Sequence, residues 1–155
     1  MIARIISLTR YPQKGGPGVT MPEVSLLKGV GVEGDFHQGG GRQISLLAAE
    51  ARRWMEVQSQ KGFCFGRFRE NMLIEGLPIN ELKSGALLSV GSAVLRIGSH
   101  RKRCYDECAL SSKDLPCRLM KSVCFADVAQ SGTVRMGDVV SVRSPLCMTR
   151  GSYDG

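Results

Sequence analysis

The chain has 155 residues, 43% of them hydrophobic and only 6% aromatic. That is enough apolar material for one domain with its own core. It excludes a disordered chain and a bilayer-spanning helix, and it argues against a stacking platform for single-stranded nucleic acid. With 21 basic and 14 acidic residues the formal net charge is +7, so anions are the natural partners.

Residues 3–8 read as a strand. The opening has no apolar signal core and no small-residue cleavage site, which argues against a secretory leader. Residues 11–18 hold two prolines and three glycines and form a loop. A second strand over 22–28 runs into the glycine-rich stretch 29–41. Ile44, Leu47, Ala48, Ala51 and Met55 recur at helical spacing, which predicts one long helix over 44–58, ended by Gly62. From Phe68 the pattern turns strand-like, with a short apolar run over 71–76 closed by Gly76. Residues 80–84 form a turn or a single helical turn. Residues 86–90 and 93–97 flank Gly91-Ser92 as a tight hairpin. Strands follow over 123–129, 133–136 and 139–143, separated by Ser131-Gly132 and Gly137-Asp138. A single domain over residues 1–145 leaves 146–155 as a flexible tail. Many short strands and one principal helix predict a β-rich (α+β) or barrel fold.

Gly29-Val30-Gly31-Val32-Glu33-Gly34 matches the spacing of a dinucleotide fingerprint, but no helix pattern opens there, so the match reads as accidental. Gly34-Asp35-Phe36-His37, followed by Gly39-Gly40-Gly41-Arg42, offers more. Successive glycines let backbone N–H groups approach an anion, and Arg42 could grip it with its fork; a loop that merely turns is the plain alternative.

Four of the six cysteines lie between Cys104 and Cys124. Zinc is a minority reading: Cys104, Cys108 and Cys117 would need Cys124 or His100 as a fourth ligand, and no second close pair exists. Buried inert thiols are common. Against that, Arg101-Lys102-Arg103 directly precedes Cys104, and such cations favour the thiolate. A thiolate is both a sulfur nucleophile and a ligand for a soft metal. With no signal peptide, reduced thiols place the chain in the cytoplasm.

The order and spacing of these pieces resemble the MOSC domain, the C-terminal module of molybdenum cofactor sulfurases, and in particular its small stand-alone bacterial members. The likeness rests on Gly34-Asp35-Phe36-His37 and Arg42-Gln43-Ile44-Ser45-Leu46-Leu47. It continues through Phe68-Arg69-Glu70-Asn71, Glu75-Gly76-Leu77, residues 82–85 and Val90-Gly91. It ends with Cys104, Cys108, Cys117, Phe125-Ala126-Asp127-Val128 and Gly137-Asp138. Where relatives often place Gly before and His after the first cysteine, this chain has Arg101 and Tyr105.

The resemblance implies a MOSC-type, pyruvate-kinase-like β-barrel and a link to molybdenum cofactor (molybdopterin), whose pterin carries a phosphate and a dithiolene. It implies a cysteine that carries sulfur from a PLP-dependent desulfurase toward a molybdoenzyme client, or one that ligates molybdenum. By position Cys108 is the first choice for that thiolate and for the metal, with Cys104 and Cys117 as further candidates. Lys102, Arg103 and Arg42 would neutralise the phosphate, and the backbone around His37, Gly39 and Gly40 would hold it. Asn71 would orient the ligand. The chain is too short for a desulfurase domain and so carries no PLP of its own. Rival expectations are a reductase of N-hydroxylated compounds with a separate electron donor, a non-catalytic cofactor-binding protein, and a basic nucleic-acid binder, the last disfavoured along with any membrane partner.

Overall fold

The computed structural model describes residues 2–36, 43–58, 68–99 and 121–143. Strand β1 spans Ala3–Arg10 and extends the expected strand by two residues. Ala3 and Ile5 face inward while Ile2 and Ile6 are exposed. A register shift between Ile5 and Ser7 then moves the inward set by one residue, so that Leu8 is fully buried. The predicted strand over 22–28 is β3 (Glu23–Leu27); before it comes the short β2 (Val19–Met21), and after it β4 (Gly31–Val32). Pro22, which has no N–H to offer a ladder, separates β2 from β3.

The helix predicted over 44–58 is in fact two elements. Ile44–Ala48 is strand β5, buried at every position, and only Ala49–Val57 is helical (α1). A strand buried on both faces has no alternation of burial to mark it, and Ile44, Leu47 and Ala48 continue the helical spacing of Ala51 and Met55. The helix ends at Val57, and Gly62 lies outside the described residues. The remaining elements follow the expected order: β6 (Met72–Glu75), a 3-10 turn (Ile79–Glu81), β7 (Leu87–Val90), β8 (Ala93–Ser99), β9 (Val123–Gln130), β10 (Gly132–Arg135) and β11 (Val139–Val142). The tail beyond residue 143 is outside the described residues.

Seven strands close into a barrel in the order β1-β11-β7-β8-β9-β5-β6, with β6 returning to β1 and β2 attached to β1 as an extension. The closing seam is short: Ala3 pairs with Val140 and Arg4 with Val139. Every neighbouring pair in the ring is antiparallel except β5 and β6. A parallel pair needs a crossover rather than a hairpin, and α1 lies in that connection. The helix covers the barrel with Ala49, Ala51 and Met55. A second sheet, β10-β3-β4, packs Val24, Leu26, Val32 and Val134 into the same core.

The barrel interior is filled by side chains. Leu8, Ile44, Leu46, Met72, Ile74, Leu88, Leu95 and Ala126 have essentially no exposed surface. The structure is therefore the β-rich barrel with one principal helix that the strand pattern predicted. Among the described residues no helix is long and apolar enough to cross a membrane.

Leu46, between Met72 on β6 and Cys124 on β9, has neighbours on both flanks that cannot collapse independently. Leu46→Ala is expected to cost about 2–5 kcal/mol, read as a lowered urea midpoint with an unchanged transition slope.

Candidate functional site

Because β5 and β6 run parallel, their first residues lie side by side. Asn71, just before β6, and Ser45, the second residue of β5, form the centre of a buried polar cluster. The Asn71 Oδ1 accepts from the Ser45 backbone N–H at 3.0 Å, and it lies 3.2 Å from the Ser45 hydroxyl, which donates to the Arg69 carbonyl at 2.8 Å. Its Nδ2 donates to the Thr9 carbonyl at 3.1 Å and to Asp35 Oδ1 at 3.2 Å. The backbone joins in: Asn71 N–H donates to the Ser45 carbonyl and Thr9 N–H to the Asn71 carbonyl, both at 2.9 Å. Asp35 Oδ1 also accepts from the Tyr11 N–H at 2.7 Å, and the Phe36 N–H donates to the Tyr11 carbonyl at 2.9 Å.

Asn71 is 2% exposed; both donors of its amide are used within the protein, and its oxygen accepts from the Ser45 N–H. Sequence reasoning expected it to orient a ligand directly. The structure shows it fastening four chain segments to one another.

Around this centre lie Tyr11 and Arg52, which the sequence did not single out, and Phe68, Arg69, Glu70 and Phe125, which it marked only as members of the resemblance. The Arg69 guanidinium stacks over the Tyr11 ring, 5.5 Å from its centroid, and donates to the Gly16 carbonyl at 2.5 Å. The Tyr11 hydroxyl donates to the Glu70 carbonyl at 3.1 Å, and Arg52 of α1 pairs with the Glu70 carboxylate at 2.6 Å. Burial first, then the negative charges of Glu70 and Asp35, push the Tyr11 phenol up to about 12, with Arg69 and Arg52 opposing. Tyr11 is therefore a neutral donor at physiological pH. Phe68 meets Phe125 edge-on at 6.2 Å.

The glycines at 29, 31 and 34 all have positive φ and build turns around β4, with no helix opening there, so the fingerprint-like spacing serves chain reversal. Gly34 is also a close contact: a Cβ there would sit 3.0 Å from both Cδ and Nη1 of Arg10. Two side-chain atoms of the described residues are buried without a hydrogen-bond partner. They are Arg10 Nε, at the end of β1, and Asp127 Oδ1, in β9.

Of the site residues inferred from sequence, Asn71 alone lies within the described residues; His37, Gly39, Gly40, Arg42, Lys102, Arg103, Cys104, Cys108 and Cys117 lie outside them. Their points of attachment are defined. Residues 37–42 end at Gln43, whose Oε1 accepts from the Val128 N–H at 3.0 Å. Residues 100–120 follow Ser99, which pairs with Phe125, and Phe125 pairs with Ser45. Ser99, Phe125, Ser45 and Asn71 thus form one row across β8, β9, β5 and β6. The chain returns at Lys121, and the Ser122 carbonyl accepts from the Ala48 N–H at 3.0 Å, three residues further along β5.

Cys124 belongs to the core. It is 0% exposed, faces Leu46 across the strand pair, and burial pushes its thiol up to about 12. The other members of the zinc set weighed from sequence, His100, Cys104, Cys108 and Cys117, lie outside the described residues. Among the described residues no three metal-ligating side chains cluster. A depression of about 470 Å³ opens at the far end of β5 and β6, lined by Ala48, Glu50, Asn80 and Lys121 among others. Its Glu50 carboxylate accepts from the Gly76 N–H at 2.9 Å, and it contains none of the polar cluster.

Three outcomes follow from this geometry. Asn71→Ala orphans the Ser45 N–H and the Thr9 carbonyl in a buried setting, at a cost of about 2–5 kcal/mol in a denaturant titration. Cys124 should be the last thiol to react: with iodoacetamide at neutral pH, peptide mapping finds it unmodified until denaturant is added. Because folding raises both the Cys124 and the Tyr11 pKa, each group's contribution to stability is complete below its ordinary value of 9.0 or 10.0 and drains away as pH rises toward 12. The denaturant midpoint therefore falls across that alkaline window, and Cys124→Ala removes the thiol's share of the fall.

No curated protein matches the chain. Solved structures match its fold. A hypothetical protein aligns with a TM-score of 0.68 at 20% identity, over 94% of this chain and 68% of that one. The YuaD protein from Bacillus subtilis aligns at 0.62 and 20%, over 93% of this chain and 97% of that one. YiiM from Geobacillus stearothermophilus aligns at 0.61 and 22%, over 93% and 76% respectively. At such identities the likeness speaks to the fold alone. The model of the MOSC domain matches residues 33–141, well over half of the chain, from the turn that carries Asp35 to the strand that closes the barrel, and the protein therefore belongs to the MOSC domain family.

Proposed function

We propose that this protein binds molybdenum cofactor and presents a cysteine thiolate beside it, as a carrier of sulfur or as a ligand of the metal. The observation that carries this reading is the row Ser99–Phe125–Ser45–Asn71. It sets the exit toward the cysteine-bearing residues 100–120, at Ser99, level with the polar cluster, while the chain returns at Lys121 by the far end of β5; residues 37–42 end three positions before Ser45. The family membership supplies the link to the cofactor.

The described residues are compatible with such a ligand. A pterin cofactor offers ring N–H donors and an anionic phosphate. At the end of the barrel where β5 and β6 begin, the protein has a buried carboxylate oxygen, Asp127 Oδ1, and a buried guanidinium nitrogen, Arg10 Nε, neither with a partner among the described residues. In this reading Cys108 is the thiolate and, if the metal is ligated, its ligand. Cys104 and Cys117 are auxiliary thiols. Lys102, Arg103 and Arg42 neutralise the phosphate, with His37, Gly39 and Gly40 supplying backbone contacts. Cations next to a thiol hold it ionised, which serves both roles. Bound molybdenum would supply oxygen-atom or sulfur chemistry, and the chain's part is to bind, orient and keep one sulfur reactive. A PLP-dependent desulfurase is the proposed sulfur donor and a molybdoenzyme the proposed recipient.

The test is metal analysis, pterin analysis and intact mass on protein purified from a molybdate-fed host. Molybdenum with pterin supports the cofactor reading; an added sulfur atom, lost on reduction and absent from Cys108→Ser, supports the carrier role. Wild-type protein with no metal, no pterin and no sulfur adduct overturns the proposal.

A further inference from the structure

Arg10 ends β1, and nothing in its sequence setting marks it. We propose that its guanidinium is an oxyanion-binding group taking a phosphate monoester; that this is the cofactor's own phosphate rests on the function proposed above.

Three observations support the assignment. The first is the orphaned donor: Arg10 Nε is buried and has no hydrogen-bond partner among the described residues. A buried donor on a charged group is costly to leave unmade, and an oxyanion is the ligand that satisfies it best. The second is that the backbone carrying Arg10 is clamped on both sides. Thr9 exchanges hydrogen bonds with Asn71, and Tyr11 donates to Asp35 Oδ1 at 2.7 Å and accepts from the Phe36 N–H. The third is the notch made by Gly34. Its φ of +86° suits glycine, and a Cβ there would press on Arg10 Cδ and Nη1 at 3.0 Å, so the missing side chain is what lets the guanidinium lie against this turn. A clamped backbone and a fitted notch hold the planar fork in place before a ligand arrives, which lowers the ordering cost of binding. The net charge of +7 adds a long-range attraction for anions.

The experiment titrates phenyl phosphate, as a plain phosphate monoester, into purified wild-type protein, Arg10→Gln and Arg10→Lys, with thermal melts on all three. Loss of a charge-assisted contact predicts binding weakened roughly tenfold or more in Arg10→Gln and by less in Arg10→Lys. The melting temperature of Arg10→Gln should stay level or rise, because no protein hydrogen bond of Nε is lost; a purely structural arginine would lower it. Wild type that does not bind phenyl phosphate, or Arg10→Gln that binds it equally well, overturns the assignment. If Arg10→Gln fails to fold, Arg10→Lys decides in the same way, since it keeps the charge and loses the fork. Pterin content of the same preparations separates the two proposals. Pterin absent from all three while phenyl phosphate binding follows Arg10 removes the cofactor reading alone. Pterin retained equally in wild type and Arg10→Gln removes Arg10 alone.

Discussion

A ring of strands that alternate direction closes only when their number is even. This barrel has seven, so one neighbouring pair must be parallel, and β5 with β6 is that pair. Much else follows. A parallel pair cannot be joined by a hairpin, so the chain must leave β5 at one end of the barrel and return to β6 from the other. The nine-residue α1 lies on that path, which accounts for the single long helix in an otherwise β-rich fold. The same geometry places the starts of both strands at one end, and so brings Ser45 against Asn71.

The buried polar cluster uses that juxtaposition. Residues 9–11, 35, 45 and 69–71 come from distant parts of the sequence and are tied by the two side chains of Asn71 and Asp35. Buried polar groups are tolerable only when satisfied, and a satisfied network fixes one arrangement of the segments it joins. The end of the barrel that holds the cluster is thereby rigid in backbone. Two charged atoms there, one on Arg10 and one on Asp127, stand outside the network.

Much of the fold was legible from sequence because its strands are half-buried and separated by glycine turns. The hairpin at Gly91-Ser92, the strands β9, β10 and β11 and the loop after β1 all follow from alternation and turn chemistry. Strand β5 was not legible: buried on both faces, it shows no alternation of burial, and Ile44, Leu47 and Ala48 sit at a spacing that a helix fits equally well. The short β2 and β4 give too few residues to establish a period. At the site, the family-like residues Asp35 and Asn71 stood out as motif members, but their roles depend on partners more than twenty residues away. Arg10 carried no signal, since its standing depends on a void at Gly34 that exists only in three dimensions. Cys124 read as one more member of a cysteine cluster; its position opposite Leu46 makes it a hydrocarbon-like filler instead.

The seam between β1 and β11 has a bearing on how the molecule assembles. It joins Ala3 to Val140 through only two paired positions, while the other ring contacts of β1 are made with β6 near the middle of the chain. During synthesis the first strand can find β6 long before β11 leaves the ribosome, so a curled, open sheet with bare edges on β7 and β1 precedes the finished cylinder. The last strand acts as a latch, and the half-made protein is exposed to edge-to-edge misassociation until that latch arrives.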